Sequence, residues 1–190
     1  MRVSTQSLID NLSSADLSAR EAAAAEIFRL GHASADAVVT AWLGDKEFSA
    51  LLGDKPQATV GIAVPRERFT NIRAANGTPP LANVPPDQDA EEFELEFGGR
   101  VFLDILTSRA PGGNGAVAKF LAKFGEGVQQ VEYRCENVDR ATHLLKDRFN
   151  ISAVYPETRA GANGTRVNFF LVSSANGKVL IELYEAAATR

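Results

Sequence analysis

The sequence has little of what several classes of protein require. Its one cysteine, Cys135, excludes an intramolecular disulfide, and the strand pattern around it predicts a small buried residue. No apolar run approaches the roughly 18 residues that a membrane-spanning helix needs. The formal net charge of −4 supplies no basic surface to attract a phosphate backbone. We therefore expect a cytoplasmic protein whose partners include neither nucleic acid nor membrane.

What is present is ordinary for a globular chain. The 190 residues are 45% hydrophobic and 23% charged, which leaves room for one sizeable core or two small ones. The first 53 residues read as a helical extension, with Asp16 capping a helix over 17–30, Gly31 ending it, and Ser34 capping another over 35–43. Glycine and proline at 53–56 mark the boundary with a second domain over 56–186.

Within this second domain, the chain repeats itself. A strand and helix pattern that begins at Thr59 recurs from Gln130, and each copy closes with an apolar strand that carries one acid, Asp104 in the first and Glu182 in the second. The repeat predicts an α+β fold with two tandem βαβββ modules, over 58–108 and 127–186. Paired units of this kind usually build one shared site.

Strand alternation predicts which side chains line that site. If Gln130 points inward, period two places Glu132 and Arg134 on the same face, and the alternate positions on these strands are uniformly apolar. The same reasoning adds Thr59, Asp104, Glu182 and Tyr184. We expect Arg134 to neutralise the two acids that close the modules, since an unpaired buried charge is costly. Glu92, Glu94 and Glu96 are interpreted as the outer polar face of an edge strand.

Three segments resemble a known family. The residues over 116–130, 161–170 and 177–183 resemble methylmalonyl-CoA epimerase, within the vicinal oxygen chelate (glyoxalase/bleomycin resistance/dioxygenase) superfamily, and the resemblance covers about 58–185. It implies modules whose mixed sheets curl around a cup that holds a divalent metal. The four ligand positions of the family fall here on Thr59, Asp104, Gln130 and Glu182, so both of its histidines are lost. The oxygens of the last three residues suit weakly bound Mg²⁺, Mn²⁺ or Ca²⁺, or no cofactor.

The resemblance also implies a chemistry. Epimerisation beside a thioester needs proton removal and return, for which Glu182 is one candidate base and Asp87 the other. Arg134, Glu132, Tyr184 and Thr59 are the candidate ligand-binding residues. We expect a small carboxylate or acyl thioester as ligand, with epimerase-like or lyase-like chemistry. The alternative is a non-catalytic module that has lost its metal and binds a small molecule or dimerises; a homodimer fits either reading.

Overall fold

The computed structural model describes residues 4–53, 55–174 and 177–187. Six α-helices and seven strands lie in these ranges. The helices are α1 (Thr5–Asn11), α2 (Leu17–Leu43), α3 (Lys46–Leu52), α4 (Arg66–Ala75), α5 (Ala116–Phe124) and α6 (Val138–Phe149). The strands are β1 (Ala58–Ala63), β2 (Ala90–Phe97), β3 (Val101–Ser108), β4 (Gly127–Arg134), β5 (Arg159–Ala160), β6 (Arg166–Ser174) and β7 (Gly177–Glu185). The predicted α+β class is confirmed.

The long helix α2 differs from its prediction. Asp16 caps it as expected, because its carboxylate accepts a hydrogen bond from the Ser18 N–H at 3.0 Å. The helix then continues through Gly31 and Ser34, where the sequence predicted an end and a new start. Gly31 is a site of close packing, since a Cβ atom there would lie 2.4 Å from Cγ1 of Val60. Glycine at this position therefore lets the helix approach β1.

The described chain forms two compact units. Unit one holds the residues up to Gly31 together with Thr59–Gln129, and unit two holds His32–Ala58 together with the residues from Gln130 onward. The helical region therefore contributes residues to both units. The predicted boundary at 53–56 stays a prediction, and Asp54 within it lies outside the described residues.

Unit one contains the first module. Strand β3 pairs in parallel with β1 and antiparallel with β2, giving the order β2-β3-β1. One side of these strands packs against α1, α2 and α4 in a continuous apolar core, whose deepest members include Ile9, Leu12, Ile62, Ile72, Leu103 and Ile105. Burial of these side chains supplies the main stabilisation of the unit.

Unit two contains the second module. Strand β7 pairs in parallel with β4 and antiparallel with β6, and β6 pairs with β5, giving the order β4-β7-β6-β5. Helix α3 joins this unit through Phe48, whose ring meets Trp42 at 5.5 Å and Phe149 at 6.3 Å. Trp42 in turn contacts Phe170 of β6 at 6.4 Å. Aromatic contacts therefore fix these helices on one side of the strands.

The two modules have the same order of secondary-structure elements, with one difference. The second runs strand, helix and three strands, whereas the first shows only two strands after its helix within the described residues. The proline-rich stretch over 79–86 lies where the third strand of the first module would be. Proline disfavours a strand there because it has no N–H to donate to the hydrogen bonds between strands. The Ala82 N–H still donates to the Glu92 carbonyl at 3.0 Å.

Cys135 is buried, as the sequence predicted. Cys135 is 2% exposed, and burial raises the pKa of its thiol to about 12, which makes it unreactive at neutral pH. Over the residues described, no helix has the length and apolar character to cross a membrane.

Candidate ligand site on the strand face of unit two

The strands of unit two have one face that the aromatic-bearing helices do not cover. On β4 and β7 the alternate residues Val131, Tyr133, Ile181 and Leu183 are buried. The intervening side chains point the opposite way because strand alternation has period two. We call this second side the strand face; it carries Gln130, Glu132, Arg134, Glu182, Tyr184 and, from β6, Phe169.

An acid pair lies at the centre of the strand face. Glu132 and Glu182 are directly opposite one another on the parallel strands β4 and β7. Gln130 is buried, and its amide nitrogen donates to Glu182 Oε2 at 2.7 Å and to Glu132 Oε1 at 3.1 Å. Three of the predicted site residues are therefore brought together by hydrogen bonds. We name this group the acid pair with its Gln130 bridge.

The Gln130 bridge changes the expected charge balance. Like charges placed opposite one another on neighbouring strands repel, and N–H donors directed at both carboxylates offset part of that repulsion. Sequence reasoning gave the neutralising role to Arg134. The structure places Arg134 in an exposed position beside Tyr184, one row beyond the acid pair. The Gln130 amide therefore donates a hydrogen bond to Glu182, and neutralisation of the acids by Arg134 stays a prediction.

Sequence reasoning missed three aromatic and basic residues, one on the strand face and two that extend from it. Phe169 lies opposite Glu182, and the ring of Tyr155 meets the ring of Phe169 at 6.0 Å. The guanidinium of Arg159 lies over the Tyr155 ring, 4.5 Å from its centroid. The segment over 159–165 reads as a loop because β5 is only two residues long. The alternation of inward and outward side chains along β6, extended to the short paired strand β5, was the sequence signal that could have placed Arg159.

Unit one carries the remaining predicted residues. Asp104 is 5% exposed and lies in register with Gly61 on one side and Glu94 on the other, while Thr59 is half-buried. Glu92 and Glu94 thus share a face with Asp104. This is the outer face of the edge strand β2, as the sequence predicted, because Glu94 and Glu96 are exposed while Phe93 and Leu95 are buried; Glu92 alone is half-buried. Burial, and then the nearby Glu94, raise the pKa of Glu92 to about 7, against an opposing effect of Arg109.

The predicted second base has an unremarkable setting. Asp87 is exposed, on a short 3₁₀ helix over Pro86–Gln88. Asp89, two residues further on, accepts hydrogen bonds from Ser108 Oγ at 3.1 Å and from the Ala110 N–H at 3.0 Å. Asp89 therefore fixes the loop after β3, and a catalytic role for Asp87 stays a prediction.

The predicted metal ligands are two carboxylates and one amide, and metal binding by Asp104, Gln130 and Glu182 stays a prediction. Across the described ranges there is no group of three or more histidine, cysteine, aspartate and glutamate side chains that could hold an ion. Gln130, one of the three predicted ligands, directs its amide N–H groups at the two carboxylates, and an N–H group cannot ligate a cation. Gln130 and Glu182 are therefore joined by a hydrogen bond, while Asp104 lies in unit one.

The fold has close counterparts among solved structures. Methylmalonyl-CoA epimerase from Mycobacterium tuberculosis is 28% identical with a TM-score of 0.57, over 72% of this chain and 91% of that one. A variant of the Streptomyces coelicolor epimerase in complex with 2-nitronate-propionyl-CoA is 28% identical with a TM-score of 0.58, over 72% and 96%. A methylmalonyl-CoA epimerase in complex with methylmalonyl-CoA and NH4+ is 29% identical with a TM-score of 0.56, over 68% and 93%.

No protein-family model and no curated protein matches the chain. The structural likeness nevertheless confirms the resemblance that the sequence suggested, since it covers 68–72% of the chain at 28–29% identity for these three structures. The structural neighbours of this chain are methylmalonyl-CoA epimerases, members of the vicinal oxygen chelate superfamily.

Proposed function

We propose that this chain binds a small carboxylate or an acyl thioester on the strand face of unit two, and that Glu182 removes a proton from the carbon next to the ligand's carbonyl. The observation that carries the proposal is the acid pair with its Gln130 bridge, at 2.7 and 3.1 Å. The neighbours that were solved with methylmalonyl-CoA or 2-nitronate-propionyl-CoA support an acyl thioester as the ligand class.

The geometry suits proton abstraction. A carboxylate becomes a useful general base when its orientation is fixed before the substrate arrives, because no reorganisation is then needed during the reaction. Gln130 supplies that fixation to Glu182 through its amide N–H. Glu132, held by the same amide, places a second carboxylate beside the first, where it can share the abstracted proton.

The negative charge that develops on the ligand also needs a partner. Removal of the proton leaves an enolate, and a nearby positive group lowers its energy in a site with little water. Arg134 lies on the strand face one residue pair from Glu182, next to Tyr184. We assign enolate stabilisation to this arginine, with no step that requires a metal.

Exchange of the ligand's α-proton with deuterated solvent tests the proposal. A panel of acyl-CoA thioesters is incubated with the protein, and deuterium uptake is followed by mass spectrometry. We expect uptake with the wild-type chain and a loss of about 10²-fold or more in Glu182→Gln, because the variant keeps the side-chain shape but has no base. Glu136→Gln, an exposed acid just after β4, is the matched control and keeps wild-type exchange.

A second candidate function is binding without chemistry. It is favoured by one feature of the sequence, which is that Thr59 and Gln130 stand at the two family positions that hold histidine. The same experiment separates the two functions. A ligand that binds the wild-type chain in a titration, yet shows no uptake above the Glu182→Gln background, would contradict the enzyme proposal and support the binding module.

A further inference from the structure

Strand β2 lies at the edge of the strands of unit one, with β3 as its ladder partner. The proline-rich stretch over 79–86 runs beside it and supplies one backbone hydrogen bond, from the Ala82 N–H to the Glu92 carbonyl at 3.0 Å. In unit two the equivalent edge, that of β6, is paired with β5. Over the residues that the structure describes, the chain of unit one therefore covers the outer edge of β2 at one end only.

The backbone groups of Glu94 and Glu96 point outward from this edge. Backbone groups alternate in direction along a strand, and the Glu92 carbonyl faces outward to Ala82, so the groups two and four residues further on face the same way. The carbonyl of Leu106, which is opposite Glu92, agrees with this, because it faces away from β2 and accepts from the first residue after β1 at 2.9 Å. Among the described residues, no backbone hydrogen bond reaches Glu94 or Glu96 from outside the ladder. We call the outward N–H and C=O groups of these two residues the open edge.

The side chains beside the open edge are acidic on one face and apolar on the other. Glu94 and Glu96 are exposed and share a face, whereas Phe93 and Leu95 are buried in the unit-one core. Two copies of β2 that paired with their acidic faces on the same side would bring glutamates opposite glutamates, which is unfavourable. A strand with basic residues at alternate positions would instead place opposite charges on this face. The acids therefore oppose a second copy of β2 and favour a basic partner.

A cavity of about 450 Å³ lies beside the open edge. Its walls come from β2, from the start of α2 and from the end of α4 with the turn that follows, and they include Leu17, Arg20, Glu21, Pro79, Leu95 and Phe97. Helices α2 and α4 pack on the buried face of β2, opposite the glutamates. A strand added at the open edge would direct alternate side chains toward these helices, so an apolar side chain at such a position would enter the cavity and cover Leu17, which is 53% exposed.

We propose that the open edge of β2 docks an extended segment of another protein, one with basic residues at alternate positions and apolar residues between them. The segment adds a strand of about four residues to unit one, because the open edge offers the outward groups of two residues. Its basic side chains meet Glu94 and Glu96, and an apolar side chain fills the cavity. The docking site is separate from the proposed function, since the acid pair with its Gln130 bridge belongs to unit two.

Three capped hexapeptides test the proposal. The basic probe alternates lysine and valine, the acidic probe alternates glutamate and valine, and the third is the basic probe with its four central amides N-methylated. Isothermal titration gives the Kd of each with the wild-type chain. We expect the basic probe to bind about tenfold or more tightly than the other two, because the acidic probe repels the glutamates and the methylated probe cannot donate hydrogen bonds to the edge. Hydrogen exchange read by NMR should slow at the amides of Glu94 and Glu96 when the basic probe is bound.

Two kinds of variant separate the backbone from the charge. Glu94→Pro removes an outward N–H and leaves the β2–β3 ladder, whose hydrogen bonds come from the alternate residues, so proline is compatible with this edge position. It should weaken the basic probe about tenfold, whereas Glu94→Gln, which keeps the N–H, should weaken it about threefold. Reversal of both charges, in Glu94→Lys with Glu96→Lys, should make the chain prefer the acidic probe.

A distant acid provides the matched control. Glu67 is exposed in the first turn of α4, at the opposite end of that helix from the cavity, so Glu67→Gln should leave every Kd unchanged. Thermal unfolding shows whether each variant folds, and the double lysine variant serves where the proline variant does not.

The basic probe and the edge amides decide the outcome together. Tighter binding of the basic probe with slowed exchange at Glu94 and Glu96 supports the docking edge. Equal Kd values for the basic and acidic probes, unchanged exchange at the two amides, or an equal loss in Glu67→Gln would overturn it. Analytical ultracentrifugation of the wild-type chain tests the other occupant. A dimer that Glu94→Pro dissociates would make a second copy the partner of this edge and would also overturn the proposal.

Discussion

The carboxyl group of Glu92 changes its charge near neutral pH. Burial raises its pKa from 4.5 to about 7, and the neighbouring Glu94 adds to the shift while Arg109 opposes it. Asp104 lies on the same face, opposite Glu94. Because the folded pKa is above the unfolded one, the native state holds the extra proton between about pH 4.5 and 7. The folded state is therefore favoured below this window, and the advantage is lost as the pH rises through it.

Replacing Glu92 with glutamine should remove this pH dependence. We expect Glu92→Gln to be more stable than wild type by roughly 1–3 kcal/mol at pH 8 and equally stable at pH 4, because one pKa unit corresponds to about 1.4 kcal/mol. Urea unfolding between pH 4 and pH 8 measures the difference. Glu96→Gln, exposed on the same strand, is the control and should follow the wild-type curve. A constant difference between Glu92→Gln and wild type at every pH would contradict the assignment.

The face on which a site residue lies was predictable from sequence where the residue belongs to a regular strand. Gln130, Glu132 and Glu182 follow from period two on β4 and β7, and the structure joins them by hydrogen bonds. Arg159 was not predictable in the same way, because its place depends on the pairing of a two-residue strand with β6. The role of Gln130 as a donor also lay beyond the sequence, since it depends on which end of the amide faces the carboxylates.

At the scale of elements, α2 shows why a glycine is hard to interpret from sequence. A glycine after a run of helical residues commonly ends the helix, and Gly31 satisfies that pattern. Here the helix runs on for twelve residues beyond it to Leu43, and the missing side chain serves packing against Val60. The local signals for the two roles are identical, and only the position of β1 distinguishes them.

A substitution at Gly31 tests which role is correct. Alanine in an ordinary helix interior would stabilise by about 1 kcal/mol. At this position its Cβ would meet Val60 at 2.4 Å, and Val60 is fully buried, so we expect Gly31→Ala to destabilise by roughly 1–3 kcal/mol. Denaturant unfolding measures the change.

The double variant Gly31→Ala with Val60→Ala supplies the control. Removal of the valine methyl groups relieves the clash, so the double variant should be more stable than the sum of the two single effects predicts. Strict additivity, or a stabilising Gly31→Ala, would show that the helix does not approach β1 this closely.

At the scale of the whole molecule, the tandem modules were predictable and the place of the first helices was not. Duplicated strand and helix patterns are visible in one sequence, and each module builds its own set of paired strands. The apolar faces of the first helices only show that they must be buried somewhere. The structure buries Ile9 and Leu12 of the α1 region completely in the unit-one core, and Phe48 of α3 completely in unit two.

The first helices are therefore structural parts of the units that hold the modules. Ile9 is 0% exposed and belongs to the same core as Val60 and Leu103, so Ile9→Ala should lower the free energy of unfolding by about 2–5 kcal/mol through the lost burial and the cavity left behind. Hydrogen exchange read by mass spectrometry should show faster exchange in β1 and β3, whose side chains line that core. Leu17→Ala, at a position that is 53% exposed, is the matched control and should change neither measurement. Truncation of a core side chain costs stability unless its partners repack fully. An Ile9→Ala protein as stable as the Leu17→Ala protein would therefore mean that α1 is an accessory segment that the module does not need.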